Sequence, residues 1–363
     1  MIVAGDVGDI ARLIKKGESM KRWNSEQAQA WGRKQPWFFG ANFMPSTAIN
    51  QLEMWQAETF DPVTIERELG YAQGIGMNIM RVYLHDLLWE HDRDGFVERI
   101  DRYLAIADSK CIKTMFVIFD DCWNPDFALG QQPAPKPYTH NSGWVQSPGY
   151  RIVEDPSQWS RLERYVKELL GRFKADPRIA VWDLYNEPTN SVGDPFTGTR
   201  RPTNSIPFLN AVFEWARSVD SLSQPLTAGV WLDMDEGGWL DRRDVNQCFL
   251  DLSDIVTFHA YMAPEKGLLD RIEKCKAAGR PLICTEWLAR GHGSTVADCL
   301  PVFRKHCAGA INWGLVSGKT QTIYPWGWSE EKGEPSAYHH DLFNPDGSLL
   351  HPNELNDLRS ESL

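Results

Sequence analysis

Short apolar runs alternate with amphipathic segments along the chain from about residue 36 onward. Eight of these runs are almost continuous in apolar side chains, which is typical of parallel strands that are covered on both faces. The predicted strands lie at 37–43, 78–83, 114–120, 179–186, 226–231, 255–260, 282–287 and 310–314.

The segments between these runs place an apolar residue at every third or fourth position, which predicts helices. The predicted helices cover 64–75, 97–110, 159–174, 206–221, 267–278 and 296–306. Asp176-Pro177-Arg178 and Gly279-Arg280-Pro281 follow two of them and lead directly into strands, as expected of residues that end helices.

Eight strands that alternate with helices predict an α/β fold, a single-domain (β/α)8 or TIM barrel, over residues 36–352. The rival is a doubly wound open sheet, which would carry a glycine-rich phosphate loop after its first strand, and Phe43-Met44-Pro45-Ser46 is not such a loop. We expect residues 1–35 to form a helical N-terminal extension and residues 353–363 a C-terminal tail.

Composition narrows the possible partners. A net charge of −11 without a basic cluster argues against nucleic acid as a partner, and no apolar run is long enough to cross a membrane.

Seven cysteines without a Cys-x-x-Cys pair indicate reduced thiols rather than a disulfide framework or a zinc site. The chain as given has no signal-peptide pattern, so we expect it to be cytoplasmic, or secreted or periplasmic if a leader was removed. The 16 tryptophans fit either an aromatic-rich core or a surface for sugar rings.

Polar and aromatic residues lie at the carboxyl ends of the predicted strands, and in a barrel these ends meet at one face. Two of them, Glu187 and Glu286, are acids that follow apolar runs. Either one alone could belong to a buried salt bridge. Together they indicate a functional site, because burying two unpaired carboxyls costs free energy and does not stabilise the core. The other strand-end residues are Arg81, His85, Asp120, Asp121, Asn186, Trp231, His259, Tyr261, Trp287 and Trp313.

A facing pair of carboxyl groups is the arrangement that hydrolyses glycosidic bonds. One carboxyl must be neutral to donate a proton and the other ionised to act as the nucleophile, so their pKa values must differ. Arg81 and the Tyr261 hydroxyl could hold Glu286 ionised, whereas Glu187 has no cation in its own motif. The sequence contains no His-Glu-x-x-His run and no carboxylate cluster at ligand spacing, so we expect neither a metal nor a cofactor.

The motif "WDLYNEP" at 182–188, followed by "LICTEWLAR" at 282–290, resembles the clan A glycoside hydrolases. The similarity covers about residues 36–350 and is to the cellulase-like family 5 enzymes and to the barrel domain of family 2. It implies a retaining β-glycoside hydrolase with Glu187 as the general acid/base and Glu286 as the nucleophile, acting on a carbohydrate partner. The substrate-binding residues that it implies are Arg81, Asn186, His259, Tyr261 and Trp313, with Asn186 on the sugar 2-hydroxyl and Trp313 as a platform.

The chain departs from the family 5 pattern at the third strand. Family 5 glucanases usually carry a histidine there, but this chain has "VIFDDCW" at 117–123, which contains Asp120 and Trp123. Asp120 could clamp sugar hydroxyls or could pair with Arg and Lys at the base of the loop. Trp123 is predicted to bind substrate, as is His85, which lies four residues after Arg81 and is similar to the family 2 arrangement.

Two long segments, 121–156 and 314–341, follow the third and eighth strands without a helical pattern, and loops of this length are usually functional. They could close off subsites and favour short or exo-cleaved substrates. A non-catalytic carbohydrate-binding barrel and a transglycosylase remain alternatives, and the sugar, the linkage and the oligomeric state stay open.

Overall fold

The computed structural model describes residues 21–192, 201–234 and 243–360. Residues 1–20, which make up most of the predicted N-terminal extension, and residues 361–363 of the predicted tail lie outside these ranges. Eight parallel strands in the described part form one sheet: β1 Phe38–Asn42, β2 Ile79–Tyr83, β3 Lys113–Val117, β4 Ile179–Asp183, β5 Leu226–Thr227, β6 Val256–His259, β7 Leu282–Glu286 and β8 Gly309–Trp313.

The strands follow one another in the order β5-β4-β3-β2-β1-β8-β7-β6. A parallel bridge between Val230 and Phe258 joins the two outer strands and closes the circle. The predicted (β/α)8 barrel is therefore confirmed. A separate two-stranded ribbon pairs Ser191–Val192 with Arg201–Pro202 beyond the end of β4.

Most of the helices in the described part of the chain lie between consecutive strands. The described helices are α1 Ser25–Gly32, α2 Gln51–Trp55, α3 Pro62–Gly74, α4 Asp86–Ser109, α5 Tyr150–Val153, α6 Trp159–Phe173, α7 Ile206–Arg217, α8 Arg243–Leu252, α9 Leu268–Lys276, α10 Val296–His306 and α11 Leu355–Ser360. No helix among the described residues is long and apolar enough to cross a membrane.

Several helices differ from the sequence prediction: α2, α5, α8 and α11 were not predicted, and one predicted helix begins earlier. The helix predicted at 97–110 begins instead at Asp86, because two helical stretches join across a kink at Asp92, and the polar segment around the kink hides the earlier stretch. The helix α8 was not predicted, since its buried side consists of only Val245, Asn246 and Phe249.

Three strands end three or more residues before their predicted limits. Regular pairing ends at Val117 in β3 and at Asp183 in β4, and β5 has two residues instead of six. Beyond β3 and β4 the pairing resumes as an isolated parallel bridge between Asp120 and Asn186. This bridge brings the two side chains to neighbouring positions at the mouth of the barrel.

The interior of the barrel changes from apolar to polar along the strands. Its lower layer is a separate cluster of buried residues that includes Ile79, Val181 and Ile311. Side chains two residues further along a strand point to the same face, so Arg81, Asp183 and Trp313 form the next layer toward the carboxyl ends. The alternation of side chains along the strands therefore places polar groups above an apolar layer, at the face where barrel enzymes have their active sites.

Candidate active site

The guanidinium of Arg81 lies at the centre of the polar layer and is completely buried. Its Nε and Nη2 donate to Asp183 Oδ2 at 3.0 and 2.7 Å. Its Nη1 donates to Asn42 Oδ1 and to Glu286 Oε1, both at 2.8 Å, and Nη2 donates to Asn186 Oδ1 at 2.7 Å. A buried cation is stable only when it is paired and hydrogen-bonded, and here it orients four side chains from β1, β4 and β7 or their ends.

Glu286, the last residue of β7, receives three donors. Oε1 accepts from Arg81 and from the Tyr83 hydroxyl at 3.1 Å, and Oε2 accepts from the Tyr261 hydroxyl at 2.7 Å. Burial raises the pKa of the Glu286 carboxyl, and the Arg81 cation and the Tyr261 bond oppose that rise. Burial also raises the pKa of both tyrosines well above their usual range, so each remains a neutral donor.

Glu187 follows Asn186 directly and has a φ of +45°, a left-handed conformation that is uncommon for a residue with a side chain. Its Oε1 lies 2.9 Å from His259 Nδ1. Its Oε2 accepts from Asn190 Nδ2 at 2.8 Å and from the Cys122 thiol at 3.2 Å. Burial raises the pKa of Glu187. Backbone strain of this kind persists where surrounding contacts fix it, and it is found most often at functional sites.

The two glutamates face each other across His259. Ligand atoms of Glu187, His259 and Glu286 all lie within 4.8 Å of one another. Burial lowers the pKa of His259 to about 4, so its ring is neutral at neutral pH. Its Nε2 has no hydrogen-bond partner among the described residues and lies 3.5 Å from Glu286 Oε1. A metal ion could use this spacing, but Arg81 already supplies a cation to Glu286.

Asn186 is held at both ends of its amide. Oδ1 accepts from Arg81, and Nδ2 donates to Asp120 Oδ1 at 3.0 Å. Asp120 Oδ2 in turn accepts from the Trp144 indole at 2.7 Å, and burial raises the pKa of Asp120 to about 6. Of the two roles left open for Asp120, pairing with Arg or Lys is not seen among its described partners, which are Gln51, Trp144, Asn186 and the backbone of Cys122. Its carboxyl is satisfied by neutral donors and fixes the orientation of Asn186.

Three aromatic rings pack against one another beside Glu286. Centroid distances are 5.0 Å between Tyr83 and Trp144, 5.9 Å between Tyr83 and Trp313, and 5.6 Å between Trp144 and Trp313. These rings line a pocket that also contacts Thr322 and the buried Asp341. The predicted platform residue Trp313 therefore lies in an aromatic cluster next to the carboxylates.

The structure does not bring two of the predicted substrate-binding residues into this network. His85 Nδ1 accepts from the Leu87 amide at 3.2 Å at the start of α4, and its ring contacts Phe127 with centroids 4.7 Å apart. Trp123 is 43% exposed and its ring lies 5.6 Å from that of His140. No described contact of either residue reaches the two glutamates, so their roles in substrate binding stay predictions.

Several residues of the network were not predicted from the sequence. Tyr83 and Asn42 had a signal, since Tyr83 lies two positions after Arg81 on the same face and Asn42 ends the first apolar run. Asp183 also ends a strand, but its motif offers more prominent polar residues. Cys122 and Trp144 lie in the long segment after β3, where no periodicity reveals which side chains turn toward the site.

Comparisons with known proteins support the fold. No protein-family model matches the sequence, and no curated protein matches it significantly. Among solved structures, an endo-β-1,4-mannanase from Thermotoga petrophila aligns with a TM-score of 0.58 and 18% identity, covering 92% of this chain and 77% of that one. An endo-1,4-β-mannanase from Rhizomucor miehei aligns with a TM-score of 0.57 and 17% identity, covering 91% and 94%.

A third similar structure is a GH5_18 variant from Bifidobacterium longum subsp. longum in complex with Manβ1-4GlcNAc. It aligns with a TM-score of 0.58 and 16% identity, covering 90% of this chain and 77% of that chain. At such identities the similarity establishes the (β/α)8 barrel, and the chemistry has to be argued from the side chains.

Proposed function

We propose that this protein is a retaining β-glycoside hydrolase with Glu187 as the general acid/base and Glu286 as the nucleophile. The observation that carries the proposal is the spacing of the two carboxyls: one oxygen of Glu187 and one oxygen of Glu286 lie within 4.8 Å of each other. Retaining enzymes hold their carboxyls about 5–5.5 Å apart, whereas inverting enzymes leave a wider gap for water.

The surroundings of the two carboxyls support the assignment of roles. Two like charges at this distance disfavour double ionisation, so one proton remains on the pair. Glu286 has the Arg81 cation and two phenol donors, whereas Glu187 has a thiol, an amide and a neutral imidazole. The proton therefore remains on Glu187, and Glu286 is the anion.

These states define the reaction. The Glu286 carboxylate attacks the anomeric carbon while Glu187 protonates the departing glycosidic oxygen, which gives a covalent glycosyl-enzyme. Glu187 then removes a proton from the incoming water, which releases the sugar with its original configuration. The amide of Asn186, fixed between Arg81 and Asp120, is oriented to hydrogen-bond the sugar 2-hydroxyl.

The proposed substrate class is β-mannosides. Two of the similar structures are described as endo-1,4-β-mannanases, and the third contains Manβ1-4GlcNAc. The complete set of Glu187, Glu286, Arg81 and Tyr261 argues against a non-catalytic binding barrel. Transglycosylation would use the same glycosyl-enzyme, and the acceptor, water or a sugar, distinguishes the two outcomes.

The test compares the wild type with Glu286→Ala and Glu187→Ala on the 4-nitrophenyl β-glycosides of mannose, glucose, galactose and xylose. We expect turnover of the mannoside to fall by roughly 10³-fold or more in Glu286→Ala. Azide should restore it and give an α-glycosyl azide, because azide replaces the nucleophile. In Glu187→Ala azide should give the β-glycosyl azide. Glu68→Gln, at a buried glutamate of α3 outside the site, is the matched control. Full activity in Glu286→Ala would overturn the proposal.

A further inference from the structure

The long segments after β3 and β8 form one continuous wall above the strands that lie between them. The Asn141 amide donates to Thr320 O at 2.8 Å, and His140 Nδ1 lies 2.9 Å from Tyr324 O. The Gln321 side chain makes two further bonds, accepting from the Tyr138 amide at 3.0 Å and donating to Lys136 O at 2.6 Å. In the sheet order, β2 and β1 lie between β3 and β8, so this seam crosses the mouths of β1 and β2.

The segment after β1 supports the wall from behind. Asn50, the cap of α2, donates through Nδ2 to Gly143 O at 2.9 Å, and Gln51 Nε2 donates to Val145 O at 3.1 Å. On the other side, the Lys319 amide donates to Ser46 O at 3.1 Å. The loops after β1, β3 and β8 are thus hydrogen-bonded to one another. This side of the site is therefore one connected structure rather than a set of independent loops.

Trp326 extends the wall toward β6 and β7. Its ring centroid lies 4.9 Å from that of Tyr261, 5.3 Å from that of His292 and 5.9 Å from that of His140. Tyr261 holds the nucleophile, so the wall contacts the catalytic network directly.

The proposed mechanism fixes which part of the substrate faces this wall. Glu187, at the end of β4, protonates the leaving group, so the leaving group lies on the β4 side. The sugar whose anomeric carbon is attacked lies over Glu286, beside Tyr83, Trp144 and Trp313. Trp144 belongs to the β3 segment and packs against both Tyr83 and Trp313.

We propose that the enzyme is exo-acting and removes a single sugar from the non-reducing end of its substrate, because the wall blocks the position that a preceding sugar would occupy. This inference rests on the proposed function. An enzyme that cuts internal bonds needs a groove that continues on both sides of the cleaved bond, and the described residues close it on the glycone side.

The test uses β1-4-linked pentasaccharides of mannose, glucose and xylose, each labelled at the reducing end, and follows products at low conversion. We expect a labelled tetrasaccharide and a free monosaccharide as the first products of the series that is cleaved. A 4-nitrophenyl β-monosaccharide should release 4-nitrophenol at once, and the corresponding β-disaccharide only after a lag.

Labelled products shorter than the tetrasaccharide at low conversion, or immediate release of 4-nitrophenol from the disaccharide, would overturn the exo assignment and leave the proposed function intact. Failure to cleave any oligosaccharide or any 4-nitrophenyl glycoside would overturn both. As a second variant, Gln321→Ala removes two of the four bonds of the seam, and internal cleavage products should increase in it relative to the wild type.

Discussion

Cys122 offers a sharp test of the acid/base assignment, because its thiol donates to Glu187 Oε2 at 3.2 Å. The side chain is 8% exposed, and burial raises the pKa of the thiol well above its usual range, so it stays a neutral donor. A donor stabilises the ionised form of a carboxyl and therefore lowers its pKa. Replacing Cys122 with alanine removes this donor, and the pKa of Glu187 should rise.

The size of the shift follows from the strength of the bond. A hydrogen bond contributes about 0.5–1.5 kcal/mol net, and a thiol is a weak donor, so about 0.5–1 kcal/mol is the relevant range. One pKa unit corresponds to about 1.4 kcal/mol, so the pKa of Glu187 should rise by about half a unit. Asn190 Nδ2 still donates to the same oxygen at 2.8 Å, which keeps the change small.

The assay is the pH dependence of kcat/KM on a 4-nitrophenyl β-glycoside. In the proposed mechanism activity requires protonated Glu187, so the ionisation of Glu187 sets the alkaline limb. In Cys122→Ala this limb should move to higher pH by about half a unit, while the acid limb, set by Glu286, stays in place. Cys111→Ala, at an exposed cysteine, is the control and should leave both limbs unchanged. An alkaline limb that stays in place or moves to lower pH would refute the assigned contact.

Three further changes have definite expected outcomes. Tyr261→Phe removes a donor to Glu286 worth about 1.5–3 kcal/mol, so kcat/KM should fall by roughly tenfold or more and its acid limb should move to higher pH; an unchanged acid limb would contradict the role of Tyr261. Trp144→Phe keeps an aromatic ring but loses the indole N–H that donates to Asp120, and kcat/KM measured at pH 7 should fall by roughly tenfold. Wild-type kinetics would contradict the support of Asn186 through Asp120. Burial lowers the pKa of His339 in the folded protein to about 3, below the usual value of 6.5. The unfolded chain therefore binds the proton at higher pH than the folded protein does, and the folded state loses stability as the pH falls from 6.5 toward 3. In thermal unfolding from pH 8 to 4, His339→Leu should therefore lose less stability than the wild type, and parallel curves would show that His339 does not titrate on unfolding.

The strand ends were predictable because parallel strands bring their carboxyl ends to one face whatever the loops do. Glu187, Glu286 and Arg81 each directly follow or belong to an apolar run, so their convergence needed only the barrel topology. The strand limits were less predictable, since Asp120 and Asn186 lie beyond the regular ladder and pair only through an isolated bridge. Apolar content marks a buried run but does not show where its hydrogen-bond ladder stops.

The contacts between the loops are the part of the candidate site that could not be predicted from the sequence. Trp144 contacts Asp120 from 24 positions away, through a segment without periodicity, and His140 and Tyr324 are 184 positions apart. Such contacts depend on the course of two long segments that stabilise each other, so no local pattern in either segment contains them. The sequence predicted that these segments would be functional but not that they would be hydrogen-bonded together.

The charge balance of the site explains why one arrangement can serve both steps of the proposed reaction. Asp183 balances the charge of Arg81, and in the proposed states Glu187 and Glu286 together carry a single negative charge. Formation of the glycosyl-enzyme turns Glu286 into a neutral ester and leaves the charge on Glu187, so the buried site gains no net charge. His259 is neutral and lies 2.9 Å from Glu187 Oε1, where Nδ1 can accept from the protonated acid or donate to the anion according to its tautomer. The site therefore moves its negative charge between two partnered positions within 4.8 Å of each other, without desolvating a new ion at either step.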